Sequence, residues 1–191
     1  MIYKFLKPAL FAVLLLSFSF AQAEEIKKTG DFTLNDYDGK AYTLSDLNSS
    51  KAIVIFFIST SCPISNAYNE RMVALYQDYV TKGVSFVAIN SNKSEDADEV
   101  KEHAEENNFQ FAVLKDPVNK VADAYDAQVT PEIYVVNTDL ELLYHGRIDN
   151  SRRENEVESK DLRIALDEIL AGKSVSVSET KAFGCSIKRV N

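Results

Sequence analysis

The sequence contains few of the residues from which disulfide scaffolds and metal centres are built. Its 191 residues include only two cysteines, Cys62 and Cys185, and two histidines. So few cysteines exclude a disulfide-dense scaffold, and a hydrophobic core must therefore stabilise the fold. Two histidines do not make a convincing metal site, for which both cysteines with His145 would be the only plausible ligands. The sequence has no P-loop or dinucleotide-binding motif, and we expect neither a metal nor a cofactor.

The N-terminal apolar run is too short to span a membrane. Ala9–Phe20 is about 12 residues long, whereas a membrane-spanning helix needs about 20. Lys4 and Lys7 precede this run, and Ala21–Ala23 follows it as an A-x-A cleavage site, which is the pattern of a signal peptide. We therefore predict a signal peptide at residues 1–23 and an exported protein, periplasmic or secreted, with no stable membrane insertion after cleavage. An uncleaved anchor is the alternative.

Basic charge is scarce in the predicted mature chain. Without residues 1–23, the remaining 168 residues carry 19 basic and 29 acidic side chains, a net charge of −10. Such acidity argues against nucleic acid or an anionic membrane as a partner. The length is sufficient for one domain with a substantial core. We predict this domain at residues 24–172 and an extended tail at residues 173–191 that carries Cys185.

Buried strands alternate with helical segments along this domain. Lys51–Thr60 and Val84–Asn90 are continuous runs of β-branched and aromatic residues, typical of strands buried on both faces. The pattern predicts an α/β fold with a central mixed β-sheet, helices on both faces, and three parallel core strands. The other predicted elements are an N-terminal β-hairpin at Asp38-Gly39, a helix from Pro63 to Gly83, a helix capped by Ser94, a strand at 109–116, a helix at 119–127, a hairpin turning at Asn137–Leu140 and a helix at 160–172.

Cys62 follows the first buried strand, and Pro63 is the predicted first residue of the next helix. Proline suits that position because its missing N–H would have no partner there. Backbone N–H groups and the helix dipole would then stabilise a thiolate at Cys62, with a further hydrogen bond from the Ser65 hydroxyl. The C-x-x-S arrangement lacks a neighbouring thiol that would resolve a mixed disulfide. The alternative is a buried, inert cysteine.

Several stretches together resemble the thioredoxin-fold redoxins, in particular the exported peroxiredoxin-like group of AhpC/TSA type. They are STSCPISNAYNERM, VSFVAINSN, VTPEIYVVNTD, YHGRIDNSR, DLRIALDEILAGK and FGCSIK. The resemblance implies a thioredoxin-like fold, with Cys62 as the nucleophile of thiol–disulfide or peroxide chemistry. It also implies a cis-proline at Pro131, with Thr130 offering its backbone to an extended substrate. The implied partners are protein or small-molecule thiols and disulfides, or hydroperoxides.

The sequence departs from a peroxiredoxin site at two positions. In the pattern P-x-x-x-[TS]-x-x-C, Ser59 keeps the hydroxyl, which would hydrogen-bond the Cys62 thiolate, but Ile55 replaces the proline. The arginine that binds peroxide in those enzymes has no evident counterpart, because Thr130 and Pro131 stand in that region. A thiol–disulfide oxidoreductase is therefore the main prediction, and a weak thiol peroxidase is the alternative.

The role of Cys185 stays open at the level of sequence. It is a candidate resolving thiol for Cys62, since a tail of this length can fold back over the sheet edge. It could equally form a permanent disulfide with Cys62 in a non-catalytic binding module, or the two cysteines could be unconnected. The sequence does not predict the oligomeric state.

Overall fold

The computed structural model describes residues 28–190, so the predicted signal peptide lies outside the described residues. The strands are β1 Thr33–Asp36, β2 Ala41–Thr43, β3 Ala52–Ile58, β4 Val84–Asn90, β5 Ala112–Lys115, β6 Val129–Thr130, β7 Glu132–Val136, β8 Leu142–Gly146 and β9 Cys185–Ser186. The α-helices are α1 Pro63–Asn66, α2 Asn69–Tyr79, α3 Ala97–Glu106, α4 Lys120–Tyr125 and α5 Asp161–Leu170. Within this described part, no helix is long and apolar enough to cross a membrane.

Seven strands form one sheet in the order β2-β1-β5-β4-β3-β7-β8. β3, β4 and β5 run parallel to one another, and β1 and β7 join them antiparallel, so the predicted mixed sheet is confirmed. The N-terminal hairpin β1–β2 and the closing hairpin β7–β8 both form where the sequence predicts them. β6 and β9 pair separately as a two-stranded sheet.

Burial on both faces of the sheet explains the unbroken apolar sequence of the central strand β3. All seven residues are buried, and successive side chains point to opposite faces of the sheet. Val54 and Phe56 pack in the layer that holds α2, α3 and α5, whereas Ile55 and Phe57 pack in the layer that holds α4. Because helices cover both faces, every side chain of this strand is buried, and the loop that carries Cys62 begins directly after it.

Two helix boundaries differ from the sequence prediction. The helix expected from Pro63 to Gly83 is interrupted, because Tyr68 leaves the helical register between α1 and α2. The next helix is capped by Asp96 rather than Ser94: Asp96 and Glu99 form a reciprocal capping box. The prediction of Ser94 as the cap was therefore wrong, and Glu95 stays outside the helix.

The C-terminal tail is docked along the domain rather than projecting from it. The Thr180 N–H donates to the His145 carbonyl, the His145 N–H donates to the Ser178 carbonyl, and β9 pairs with β6. Ile187 is 5% exposed and lies in the same core layer as α4. This path brings Cys185 beside the loop that follows β3.

Candidate active site

Cys62 and Cys185 form a disulfide that links the loop after β3 to the C-terminal tail. Their Cα atoms lie 6.0 Å apart although 123 positions separate them in sequence, which is a normal Cα spacing for a disulfide. The two sulfurs differ in accessibility, since Cys62 is 3% exposed and Cys185 is partly exposed. Of the alternatives that the sequence left open, unconnected cysteines are excluded.

Cys62 occupies the N-cap of α1, with Pro63 as the first helical residue as predicted. The Ser65 backbone N–H donates to the Cys62 Sγ at 3.3 Å. Because α1 is a single turn, this local N–H, rather than the dipole of a long helix, favours negative charge on the sulfur. The environment can stabilise a Cys62 thiolate once the disulfide opens.

The two serine hydroxyls predicted to bind the sulfur have other partners. The Ser65 hydroxyl accepts from the Ser59 N–H at 3.2 Å. The Ser59 hydroxyl accepts from the Cys62 N–H at 3.1 Å and donates to Glu95 at 2.6 Å. The hydroxyls point to backbone amides because the tight loop leaves those amides unpaired otherwise. Both hydroxyls therefore shape the cysteine loop in the disulfide form, and neither hydrogen-bonds the sulfur, which accepts only from the backbone N–H of Ser65.

Thr130 and Pro131 lie against the disulfide, and their peptide bond is cis. The Thr130 carbonyl oxygen is 3.4 Å from the Cys62 Sγ. In the pairing of β6 with β9, Thr130 stands directly opposite Cys185. The backbone that the sequence predicted for an extended substrate is thus occupied by the protein's own tail.

Gly184 permits the tail to come this close. A Cβ atom added at this position would overlap the carbonyl group of Thr130. The side chain must therefore be absent for β9 to lie on β6, and the glycine beside Cys185 sets the approach of the second sulfur.

A buried carboxylate behind the cysteine loop was not predicted from the sequence. Glu95 is 4% exposed, and six hydrogen-bond donors contact its two oxygens at 2.5–3.3 Å. Burial alone would raise the pKa of Glu95, but the hydrogen bonds lower it to about 2. Glu95 is therefore ionised at neutral pH. Its donors are Ser59 Oγ, Thr60 N, Ser61 N, Ser61 Oγ, Asn90 Nδ2 and Asn92 Nδ2.

Acid is expected to destabilise the fold through Glu95. A carboxyl group with a lowered pKa stabilises the folded state above its unfolded pKa, and this contribution is lost as the pH falls through the folded value. For Glu95 the window runs from 4.5 down to about 2. We expect the wild type to lose up to about 3 kcal/mol more unfolding free energy across that window than Glu95→Gln. Urea unfolding at a series of pH values measures this, and equal pH dependence of the two proteins would contradict it.

A second buried carboxylate, Glu132, lies directly after the cis-proline. Its Oε1 is 2.7 Å from His145 Nε2, and its Oε2 accepts from the backbone N–H groups of Gln128 and Val129. Burial alone would raise the pKa of Glu132, but these hydrogen bonds lower it. His145 is thus paired with Glu132 and stacked on Tyr134. Within residues 28–190, no group of three or more histidine, cysteine, aspartate or glutamate side chains is placed to hold a metal ion.

The comparisons with known proteins agree with this architecture. The sheet order, the cis-proline and the cysteine at the end of β3 define a thioredoxin-like fold of the redoxin type. The model of the AhpC/TSA family matches residues 26–145, and the chain belongs to this family. The tail that carries Cys185 lies outside the matched range.

Three proteins are similar to the chain over more than half of its length. Thiol-disulfide oxidoreductase ResA from Bacillus subtilis (strain 168) is 31% identical over 121 residues, which are 62% of this chain and 66% of ResA. A hypothetical protein from Sinorhizobium meliloti 1021 is 34% identical with a TM-score of 0.81, over 86% of this chain and 94% of that one. An uncharacterized conserved protein from Geobacillus kaustophilus is 39% identical with a TM-score of 0.80, over 85% and 90%. The chain thus spans slightly less than two thirds of the length of ResA.

Proposed function

We propose that the protein is an exported thiol–disulfide oxidoreductase that uses Cys62 as the nucleophile and Cys185 as the resolving thiol. The observation that carries this proposal is the disulfide itself: it joins an N-cap sulfur beside a cis-proline to a partly exposed sulfur on a tail strand. Similarity to a thiol-disulfide oxidoreductase, ResA, supports the same chemistry. The substrates are then protein or small-molecule thiols and disulfides.

The unequal burial of the two sulfurs supports one order of steps in this cycle. A donor thiolate attacks Cys185, the more exposed sulfur, and Cys62 leaves as the thiolate that the Ser65 N–H stabilises. The second donor thiol attacks the donor sulfur of this mixed disulfide, which releases the Cys185 thiolate and leaves the donor oxidised. The Cys62 thiolate then attacks a substrate disulfide and expels one substrate thiolate. Cys185 attacks Cys62 in the new mixed disulfide, expels the second substrate thiolate and restores the internal disulfide.

Peroxide reduction is the less favoured chemistry. Peroxide cleavage requires a cationic or hydrogen-bonding group that polarises the O–O bond. In the described part of the chain, the Cys62 sulfur accepts from the Ser65 N–H and lies 3.4 Å from the Thr130 carbonyl oxygen, and no arginine hydrogen-bonds it. A weak thiol peroxidase activity is therefore the alternative, and disulfide exchange the main proposal.

Export is part of the proposal. Residues 1–23 would be the signal peptide, residues 24–172 the redoxin domain and residues 173–191 the tail. The disulfide between the only two cysteines supports an oxidising compartment such as a periplasm or the extracellular space, since such bonds persist there and are rare in the cytosol.

A redox titration of the protein lacking residues 1–23 tests the proposal. Mass spectrometry would report the state of the Cys62–Cys185 bond at each potential. Reversible opening between about −120 and −270 mV, the span of known thiol–disulfide catalysts, is the expected result. A bond that stays closed below about −300 mV would identify a structural disulfide and a non-catalytic binding module instead.

A further inference from the structure

We infer that Glu95 is a positioning residue that holds both cysteine-bearing segments in place, so that the two sulfurs stay opposite one another when the disulfide is reduced. This inference rests on the proposed redox cycle. It concerns a residue on neither cysteine segment, at a distance of 33 positions from Cys62 and 90 from Cys185 in the sequence. Each oxygen of the Glu95 carboxylate contributes to this positioning.

The first oxygen holds the segment that leads into Cys62. Glu95 Oε1 accepts from the Ser59 hydroxyl at 2.6 Å and from the Ser61 hydroxyl at 2.5 Å. The Ser59 hydroxyl in turn accepts from the Cys62 N–H at 3.1 Å. A short chain of hydrogen bonds therefore connects the carboxylate to the backbone of the nucleophile. Since bonds to an ionised acceptor are stronger than neutral ones, this chain fixes the loop firmly.

The second oxygen reaches the tail through Asn92. Glu95 Oε2 accepts from the Asn92 amide nitrogen at 3.3 Å. The Asn92 amide oxygen accepts from the Lys188 N–H at 2.8 Å, and the Lys188 carbonyl accepts from the Lys93 N–H at 2.9 Å. Lys188 is three positions after Cys185. One buried carboxylate thus bonds to the Cys62 loop directly and orients the side chain that binds the Cys185 tail.

The half-buried Lys115 completes the support of this segment. Lys115 Nζ donates to the Glu95 carbonyl at 2.5 Å and to the Asn90 amide oxygen at 2.6 Å. These bonds anchor the backbone of the loop between β4 and α3 at Glu95 and link it to the end of β4 at Asn90. Glu95 is thus held at its backbone carbonyl as well as at both carboxylate oxygens, as a positioning role requires.

The chemical consequence is a high effective concentration of one thiol at the other. Reduction by a dithiol breaks the Cys62–Cys185 bond, adds two protons and two electrons to the sulfurs, and leaves the reductant as a disulfide. If the hydrogen bonds to Glu95 and Asn92 persist, Cys185 does not leave the vicinity of Cys62. The equilibrium constant for re-forming the disulfide then exceeds that of two thiols on unrestrained segments.

Glu95→Gln is the primary test, measured as the thiol–disulfide equilibrium constant of the folded protein against mixtures of reduced and oxidised dithiothreitol. Glutamine preserves the shape, and its amide nitrogen can donate to the oxygens of Ser59 and Ser61. We expect the constant for disulfide formation to fall about tenfold, equal to a rise of about 30 mV in reduction potential. Asn92→Ala removes only the link to the tail and should lower the constant about fivefold.

The double variant and a matched control distinguish positioning from general destabilisation. Because Asn92 acts on the tail together with Glu95, the combined effect should be smaller than the product of the single effects. Asp116→Asn is the control, since Asp116 is also a buried carboxylate that accepts from a hydroxyl and two backbone N–H groups, none of them in a cysteine segment. The disulfide-formation constant of Asp116→Asn should stay within about twofold of the wild-type value, even if the substitution lowers thermal stability.

Two results would overturn the inference. One is an equilibrium constant within twofold of wild type in both Glu95→Gln and Asn92→Ala. The other is a change in Asp116→Asn as large as that in Glu95→Gln. The proposed function is tested separately by the absolute potential of the wild type, because a very negative wild-type potential would reject redox cycling while leaving the ratio between variant and wild type measurable.

Discussion

Replacement of Cys62 by serine is expected to lower disulfide-exchange activity by about three orders of magnitude or more, because a serine hydroxyl is a far weaker nucleophile than a thiolate at neutral pH. The substitution removes the nucleophilic sulfur. It preserves the N-cap geometry of α1, since serine is itself a favoured cap. The measurement is the rate of reduction of a model disulfide by the variant with a dithiol donor. Far-ultraviolet circular dichroism would verify that the variant is folded.

Cys185→Ser is the matched variant, because it removes the other sulfur of the same bond. It should lose multiple turnover as well, but its Cys62 should still form a mixed disulfide with substrate, which accumulates for lack of a resolving thiol. Mass spectrometry of the stopped reaction detects that species. Full activity in Cys62→Ser, or rapid turnover by Cys185→Ser without an accumulating intermediate, would contradict the assigned roles.

Gly184→Ala is expected to weaken the internal disulfide through the tail rather than through the sulfurs. The added Cβ overlaps the Thr130 carbonyl group, so β9 must move away from β6. Overpacking of this kind costs about 1–3 kcal/mol, which corresponds to about 5- to 150-fold in the equilibrium constant for disulfide formation. Titration with dithiothreitol measures that constant, and alkylation of the reduced protein should show a more accessible Cys62.

The control for this variant is Gly30→Ala. A Cβ at Gly30 meets no atom within 4 Å, so the same chemical change there should leave the constant unchanged. If Gly184→Ala behaved like Gly30→Ala, the docking of the tail on β6 would not determine the stability of the disulfide. The comparison isolates the steric contact because neither glycine has a left-handed backbone conformation.

Much of the domain could be predicted from local pattern alone. The seven-residue apolar run of β3 reflects burial on both faces, and the Asp38-Gly39 pair marks a turn that a hairpin requires. Pro63 indicates the start of a helix because its ring suits the first helical position. Such features depend on neighbours within a few residues. The cap of α3 did not follow from local pattern, because Ser94 and Asp96 are both good capping residues and only packing selects between them.

The candidate site could be predicted only in part. Cys62 and the Thr130–Pro131 pair were identifiable, because each lies at the end of a recognisable strand or beside a proline. Glu95 was missed, since one glutamate among 29 acidic residues carries no local signal of burial. Its proposed role depends on six donors from the loop after β3, the end of β4 and the loop after β4, which converge only when β3 and β4 lie side by side.

The sequence by itself determined the alternation of strands and helices, the parallel core and the position of Cys62 before the first turn of a helix, because periodicity and turn chemistry act over short distances. Only the tertiary structure decided that Cys185 pairs with Cys62, that the tail covers Thr130, and that Glu95 supports both segments. These are contacts between residues distant in the chain. Their formation depends on how the core packs and on where the tail is able to dock, and no local pattern in the sequence encodes either.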